Sequence, residues 1–143
     1  MSFFFATIFT SVLLAVTKAD TLGYDDAYGN AGASLQDVAC STGSNGLITK
    51  GFNTFGDLPT FPAIGSAYVV DDWNSAGCGT CWNLEYTNST GQKLSITFTA
   101  IDVSGGGFYT SVNSLDYLTG GNGEQWGVID VTATEVDASA CGL

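Results

Sequence analysis

Histidine is absent from the 143 residues, and lysine and arginine together number three against 14 aspartates and glutamates. The first absence removes imidazole, the side chain best placed to exchange protons near neutral pH and a frequent metal ligand. No metal or other cofactor is therefore expected. The second absence, with a net charge of -11, argues against nucleic acid and anionic lipid as partners, because both are held through Lys and Arg. Proline occurs only twice, and no linker, repeat or low-complexity stretch divides the chain.

What the sequence has begins with residues 1–19, a predominantly apolar run built on Phe3, Phe4, Phe5, Ile8, Phe9, Val12, Leu13, Leu14 and Val16. It ends in small residues around Ala15 and Ala19 and reads as a secretory signal peptide cleaved after Ala19, although its first residues carry no Lys or Arg. A membrane anchor would need about 20 apolar residues, which this run does not reach. Residues 20–143 then form one secreted domain with no membrane contact once the leader is removed. Few charges, abundant Ser, Thr, Asn and Gly, and 13% aromatics suit a surface that hydrogen-bonds and stacks on a neutral ligand such as a sugar.

Four cysteines, Cys40, Cys78, Cys81 and Cys141, imply disulfides in an oxidising compartment, with three pairings open. Pairing Cys78 with Cys81 would make Cys78-Gly79-Thr80-Cys81 a redox motif. Such motifs sit at a helix N-terminus beside groups that favour the thiolate, whereas Trp82, Leu84 and Tyr86 alternate like a strand in an acidic chain. The two remaining pairings both staple the Trp73–Trp82 stretch to the two ends of the domain.

The clearest pattern is a hairpin. Trp82, Leu84 and Tyr86 alternate with polar residues, Asn88-Ser89-Thr90-Gly91 makes the turn, and Leu94, Ile96, Phe98 and Ala100 alternate on the return. Asn88-Ser89-Thr90 is also an N-glycosylation sequon on an exposed loop. Tyr68, Val69 and Val70 suggest a strand leading to Trp73. Phe108, Val112, Leu115 and Leu118 have the spacing of a short amphipathic helix, ended by Gly120 and Gly121. Ile129, Val131 and Ala133 give a closing strand. The two prolines make residues 58–65 an extended crossing segment, and residues 41–46 are loop by composition. The fold class is mainly β, a small closed barrel with one or two short helices, closure also disposing of strand edges that so few charges could not protect.

Five stretches then resemble one known family. They are residues 41–47 (STGSNGL), 58–65 (LPTFPAIG), 73–82 (WNSAGCGTCW), 100–102 (AID) and 139–143 (SACGL), and in order and spacing they are similar to the cerato-platanins. The resemblance implies a six-stranded double-psi β-barrel like the first domain of expansins, with disulfides Cys40–Cys78 and Cys81–Cys141. It further implies a fungal protein, secreted and cell-wall-associated, that binds chitin (N-acetylglucosamine) oligomers in a shallow groove and is perceived by plants as a defence elicitor. Some members loosen cellulosic material without hydrolysis, and some self-assemble.

By the same resemblance, Tyr24, Asp25, Ser41, Asn45, Asn74 and Asp102 are the carbohydrate-binding candidates. Many relatives place His after this Asp and Asn after the Gly-Phe pair, where this chain has Val103 and Tyr109. The more ordinary roles are that Asp102 caps a turn and that Asn74 and Ser75 hold the loop positioning Cys78. Trp82 reads as core, while Trp73 and Trp126 stay open. Three functions follow: a monomeric, non-catalytic saccharide binder, recognised in turn by a plant receptor; a glycoside hydrolase; and a surface-active coat protein. Hydrolysis by inversion would need two carboxylates roughly 6.5–9.5 Å apart, one of them protonated, with Asp102 as the acid and Asp25 or Asp26 as the base.

Overall fold

The structure, a computed structural model, describes residues 7–8 and 16–143. Most of the expected leader lies outside the described residues. Among those described, no helix is long and apolar enough to cross a membrane.

Six strands, β1 (Thr17–Tyr24), β2 (Ile64–Ala67), β3 (Cys81–Thr87), β4 (Lys93–Val103), β5 (Phe108–Thr110) and β6 (Val128–Val136), close into a barrel in the order β1-β5-β2-β4-β3-β6. Two neighbouring pairs, β1 with β5 and β2 with β4, are parallel, and the rest are antiparallel. Strand β1 starts three residues ahead of the cleavage expected after Ala19. A chain cut there keeps its β6 pairing from Asp20 opposite Val131 onward.

The hairpin forms with Trp82, Leu84 and Tyr86 opposite Phe98, Ile96 and Leu94. Alternation drives it: Leu84, Ile96 and Phe98 turn inward and are buried, whereas Ser95 and Thr97 face water. In β6 the same period buries Ile129, Val131 and Ala133. The barrel centre is aromatic, with the Phe108 ring edge-on to Phe98 and Trp82 at centroid distances of 5.5 and 5.3 Å, a geometry that aligns ring edges with ring faces. Trp82 is buried in this core, as its alternation implies.

Three expectations are corrected, the first for residues 58–63, which turn rather than run extended, the Phe61 N–H donating to the Leu58 carbonyl and the Ala63 N–H to the Thr60 carbonyl before the strand starts at Ile64. Residues 68–70 are a turn, and the strand in that region is β2, just before them. All four β2 residues are buried, so it carries no in–out alternation. Phe108 belongs to β5 and precedes the helix, α1 (Val112–Thr119), which Ser111 caps by accepting from the Ser114 N–H and which Gly120 ends in the left-handed conformation. A short second helix, α2 (Gly123–Trp126), is tied to α1 where the Gly123 N–H donates to Asp116.

The disulfides are Cys40–Cys78 and Cys81–Cys141, spanning 38 and 60 residues, as the resemblance implies. On the chain-entropy account each stabilises the fold by about 4 kcal/mol.

Candidate functional site

Strand β1 ends at Tyr24, and the chain immediately makes a single turn of 3-10 helix at Asp26–Gly29, capped by Asp25, whose Oδ1 accepts from the Ala27 N–H at 2.9 Å. That turn swings the Tyr28 ring inward, where it packs against Phe55 with centroids 6.2 Å apart. A second short turn at Leu35–Asp37 brings Asp37 to the same place. Strand β4 delivers Asp102 from the other side. Together Asp25, Tyr28, Asp37, Phe55 and Asp102 line an open groove of about 290 Å³.

Asp102 is the most heavily engaged of these groups. Its Oδ1 accepts from the backbone N–H of Ala39 at 3.1 Å and of Val103 at 2.9 Å, and its Oδ2 accepts from the Tyr28 hydroxyl at 3.2 Å. Burial pushes the Tyr28 hydroxyl well above the usual phenol range, and the Asp102 charge adds to that, against a smaller opposing effect of Ser66. Tyr28 therefore remains a donor at any physiological pH. Three donors converge on this one carboxyl. The capping role considered for Asp102 from sequence is thus part of what it does, since it anchors the 37–40 segment.

The candidate residues separate into two groups. Asp25 and Asp102 line the groove together. Tyr24 is half-buried and packs against the core. Ser41 is buried, and its carbonyl accepts from the Ile48 N–H. Asn45 and Asn74 are engaged with each other: Asn74 Oδ1 accepts from the Asn45 N–H at 2.8 Å, and Asn45 Nδ2 donates to the Asn74 carbonyl at 3.1 Å. Asn74 holds φ 59°, a left-handed backbone that Asn tolerates better than most residues. The pair clasps the 41–46 loop to the Trp73–Trp82 stretch, and neither residue lines the groove holding Asp102. Trp73, 55% exposed, reinforces the clasp by donating from its indole to Thr42 Oγ1 at 3.1 Å.

Sequence reasoning misses Tyr28, Asp37 and Phe55. It weighs Asp26 as a base, but the carboxylate that joins Asp25 and Asp102 is that of Asp37. No sequence signal marks the missed residues, because Asp37 reaches the groove through the bonds that hold residues 39–40 to β4, the Cys40 N–H donating to the Ile101 carbonyl and the Ala39 N–H to Asp102. Among the described residues no three His, Cys, Asp or Glu side chains are grouped to hold a metal ion.

Comparison with known proteins adds three findings. A family model described as Cerato-platanin matches residues 20–143. The chain is 44% identical over 135 residues to the heat-stable 19 kDa antigen of Coccidioides posadasii, covering 94% of this chain and 88% of that one. Two solved structures superpose on it. Cerato-platanin 2 from M. perniciosa does so with a TM-score of 0.84 at 44% identity, over 88% of this chain and 100% of that one. The fungal elicitor Cerato-Platanin does so with a TM-score of 0.70 at 32% identity, over 85% of this chain and 95% of that one.

Proposed function

The chain belongs to the cerato-platanin family, and on that premise we propose that it is a secreted fungal wall protein whose Asp102 groove binds chitin oligomers without cleaving them. One observation carries the reading: three carboxylates, Asp25, Asp37 and Asp102, line one open groove beside the rings of Tyr28 and Phe55, and no Lys or Arg lines it. Such a groove offers acceptors and aromatic edges. A neutral sugar supplies the matching hydroxyl and acetamide donors and apolar ring faces, whereas an anionic ligand would be repelled.

The hydrogen bonds of Asp102 favour binding without hydrolysis. Cleavage by acid and base needs one carboxyl held protonated in a desolvated site, and here the groove is open and every contact of Asp102 is a donor. Perception by a plant or animal host is in keeping with relatives described as an elicitor and an antigen. Loosening of polysaccharide would use the same groove, because competition for sugar hydroxyls requires no bond to break.

The test is NMR titration of the mature protein with N-acetylglucosamine and cellulose oligomers. Shifts clustered on Asp25, Tyr28, Asp37 and Asp102 are expected. Absence of shifts at millimolar oligomer sinks the binding reading, and release of reducing ends from chitin, lost in Asp102→Asn, would instead establish a hydrolase.

A second reading rests on exposed apolar side chains, among them Trp126, 49% exposed, and Val128, 53% exposed. These favour adsorption at an interface. Measurement of surface tension decides it, an unchanged value for water ruling the coat function out.

A further inference from the structure

At the opposite end of β4 from Asp102 lies a larger groove of about 350 Å³, walled by Tyr86, Leu94, Tyr117 and Trp126 and edged by Asn88 and Gln92. Tyr117 and Trp126 are 60% and 49% exposed, yet they are not loosely held. Tyr117 stands on α1, Trp126 on α2, and the bond from Gly123 to Asp116 fixes one helix against the other. Aromatic faces presented by rigid elements are costly to leave in water and suited to the face of a sugar ring.

The residue at the edge of this groove is the acceptor of the Asn88-Ser89-Thr90 sequon. The ladder of β3 and β4 continues one step past Thr87, because the Asn88 N–H donates to the Gln92 carbonyl at 2.9 Å. Asn88 is therefore two strand positions beyond Tyr86, on the same face of the hairpin. Its Oδ1 is pinned by three donors, the Thr90 N–H at 3.1 Å, the Thr90 hydroxyl at 2.7 Å and the Gln92 N–H at 2.9 Å. With the carbonyl oxygen so fixed, Nδ2 has one orientation, and one of its hydrogens goes to Gln92 Oε1 at 3.2 Å.

We propose that Asn88 carries an N-linked glycan whose first N-acetylglucosamine ring docks on Tyr86, Tyr117 and Trp126. This rests on the secretory reading, since the modification belongs to that route. In the transfer step Asn88 Nδ2 attacks the anomeric carbon of a sugar carried on a lipid diphosphate. The carbon–nitrogen bond forms as the bond from that carbon to the diphosphate oxygen breaks, one Nδ2 proton passes to a base of the transferring enzyme, and the lipid diphosphate departs with the electron pair. The remaining Nδ2 hydrogen can keep its bond to Gln92. Because the sugar is tethered beside the rings, docking is intramolecular and needs no affinity for free sugar.

The experiment expresses the full chain with its own leader in a yeast secretory host, with and without an inhibitor of lipid-linked glycan assembly, so that both products share one sequence. Mass spectrometry of the secreted protein should locate a hexosamine-based glycan on Asn88, absent from the inhibited culture. Stacking of about the strength of an aromatic pair raises the melting temperature of the glycoform by about 4 °C. Trimming the glycan to its first ring should preserve that increment. Trp126→Ala, or Tyr117→Ser as an independent variant, should reduce it, each compared with and without glycan so that the variant's own stability cancels. Secreted protein with a bare Asn88 overturns the inference while leaving secretion intact. An increment unchanged by both variants overturns the docking. A chain retained in the cell with an uncut leader overturns secretion, and the inference with it.

Discussion

The Tyr28 hydroxyl donates to Asp102 Oδ2 at 3.2 Å, joining residues 74 positions apart, and this bond couples the shape of the groove to its charge. Tyr28→Phe removes the donor and leaves the ring. It should lower stability by about 1–2 kcal/mol, the usual effect of unpairing a hydrogen bond to a charged group, and weaken oligomer binding. Urea titration and the oligomer titration read the two effects separately.

Alkaline titration should show the same residue from another side. The Tyr28 hydroxyl titrates above its unfolded value, so its contribution is complete below about pH 10 and declines as pH rises from there toward the folded value. Ultraviolet titration of phenolate should show a late component in the folded protein that Tyr28→Phe abolishes.

Acid acts on other groups. Asp57 accepts from the N–H groups of Asn53 and Thr54, each at 3.0 Å, and Asp137 from that of Ser139 at 2.9 Å. These bonds hold both carboxyls below their usual range. A lowered folded value means that the stabilisation is present above about pH 4 and is lost as pH falls through the folded value. The melting temperature should drop across that window, and the drop should be shallower in Asp57→Asn.

Replacing Cys81 and Cys141 together by Ser opens the 60-residue loop and should cost about 4 kcal/mol. Guanidinium melts of the variant and of the parent under non-reducing conditions measure the difference.

Asn74 separates backbone from side chain. Asn74→Gly keeps the left-handed conformation and loses only the bond from the Asn45 N–H, whereas Asn74→Ala loses both. The alanine variant should be the less stable of the two by about 1 kcal/mol, read from paired thermal melts.

Alternation made the hairpin and β6 legible, because each has one face in the core and one in water. Strand β2 was hidden by its position. It is buried on both faces between β4 and β5, and a side chain on Gly65 would overlap the Tyr109 carbonyl oxygen. A strand squeezed so tightly is small and unpatterned, and Tyr68-Val69-Val70 drew the expectation instead. Phe108 misled through spacing, since it stands four positions before Val112 whether or not a helix includes both. In the groove, Asp25 and Asp102 were reachable by resemblance, but Tyr28, Asp37 and Phe55 meet only because the crossing segments converge. Asn45 and Asn74 were also reached by resemblance, and the bonds between them, which tie two loops together, need the three-dimensional fold to be seen.

The two disulfides leave from positions three apart and run to different ends of the domain, so a single peptide cleavage between Cys40 and Cys78, or between Cys81 and Cys141, leaves one covalent molecule. Gly79–Thr80, the segment before Cys40 and the last two residues, Gly142 and Leu143, fall outside these rings. The segment before Cys40 contains β1, which bridges β5 and β6. A protease can therefore nick most surface loops without releasing a fragment. The cut that matters is one after β1, and it would free a strand retained by nothing but hydrogen bonds and packing.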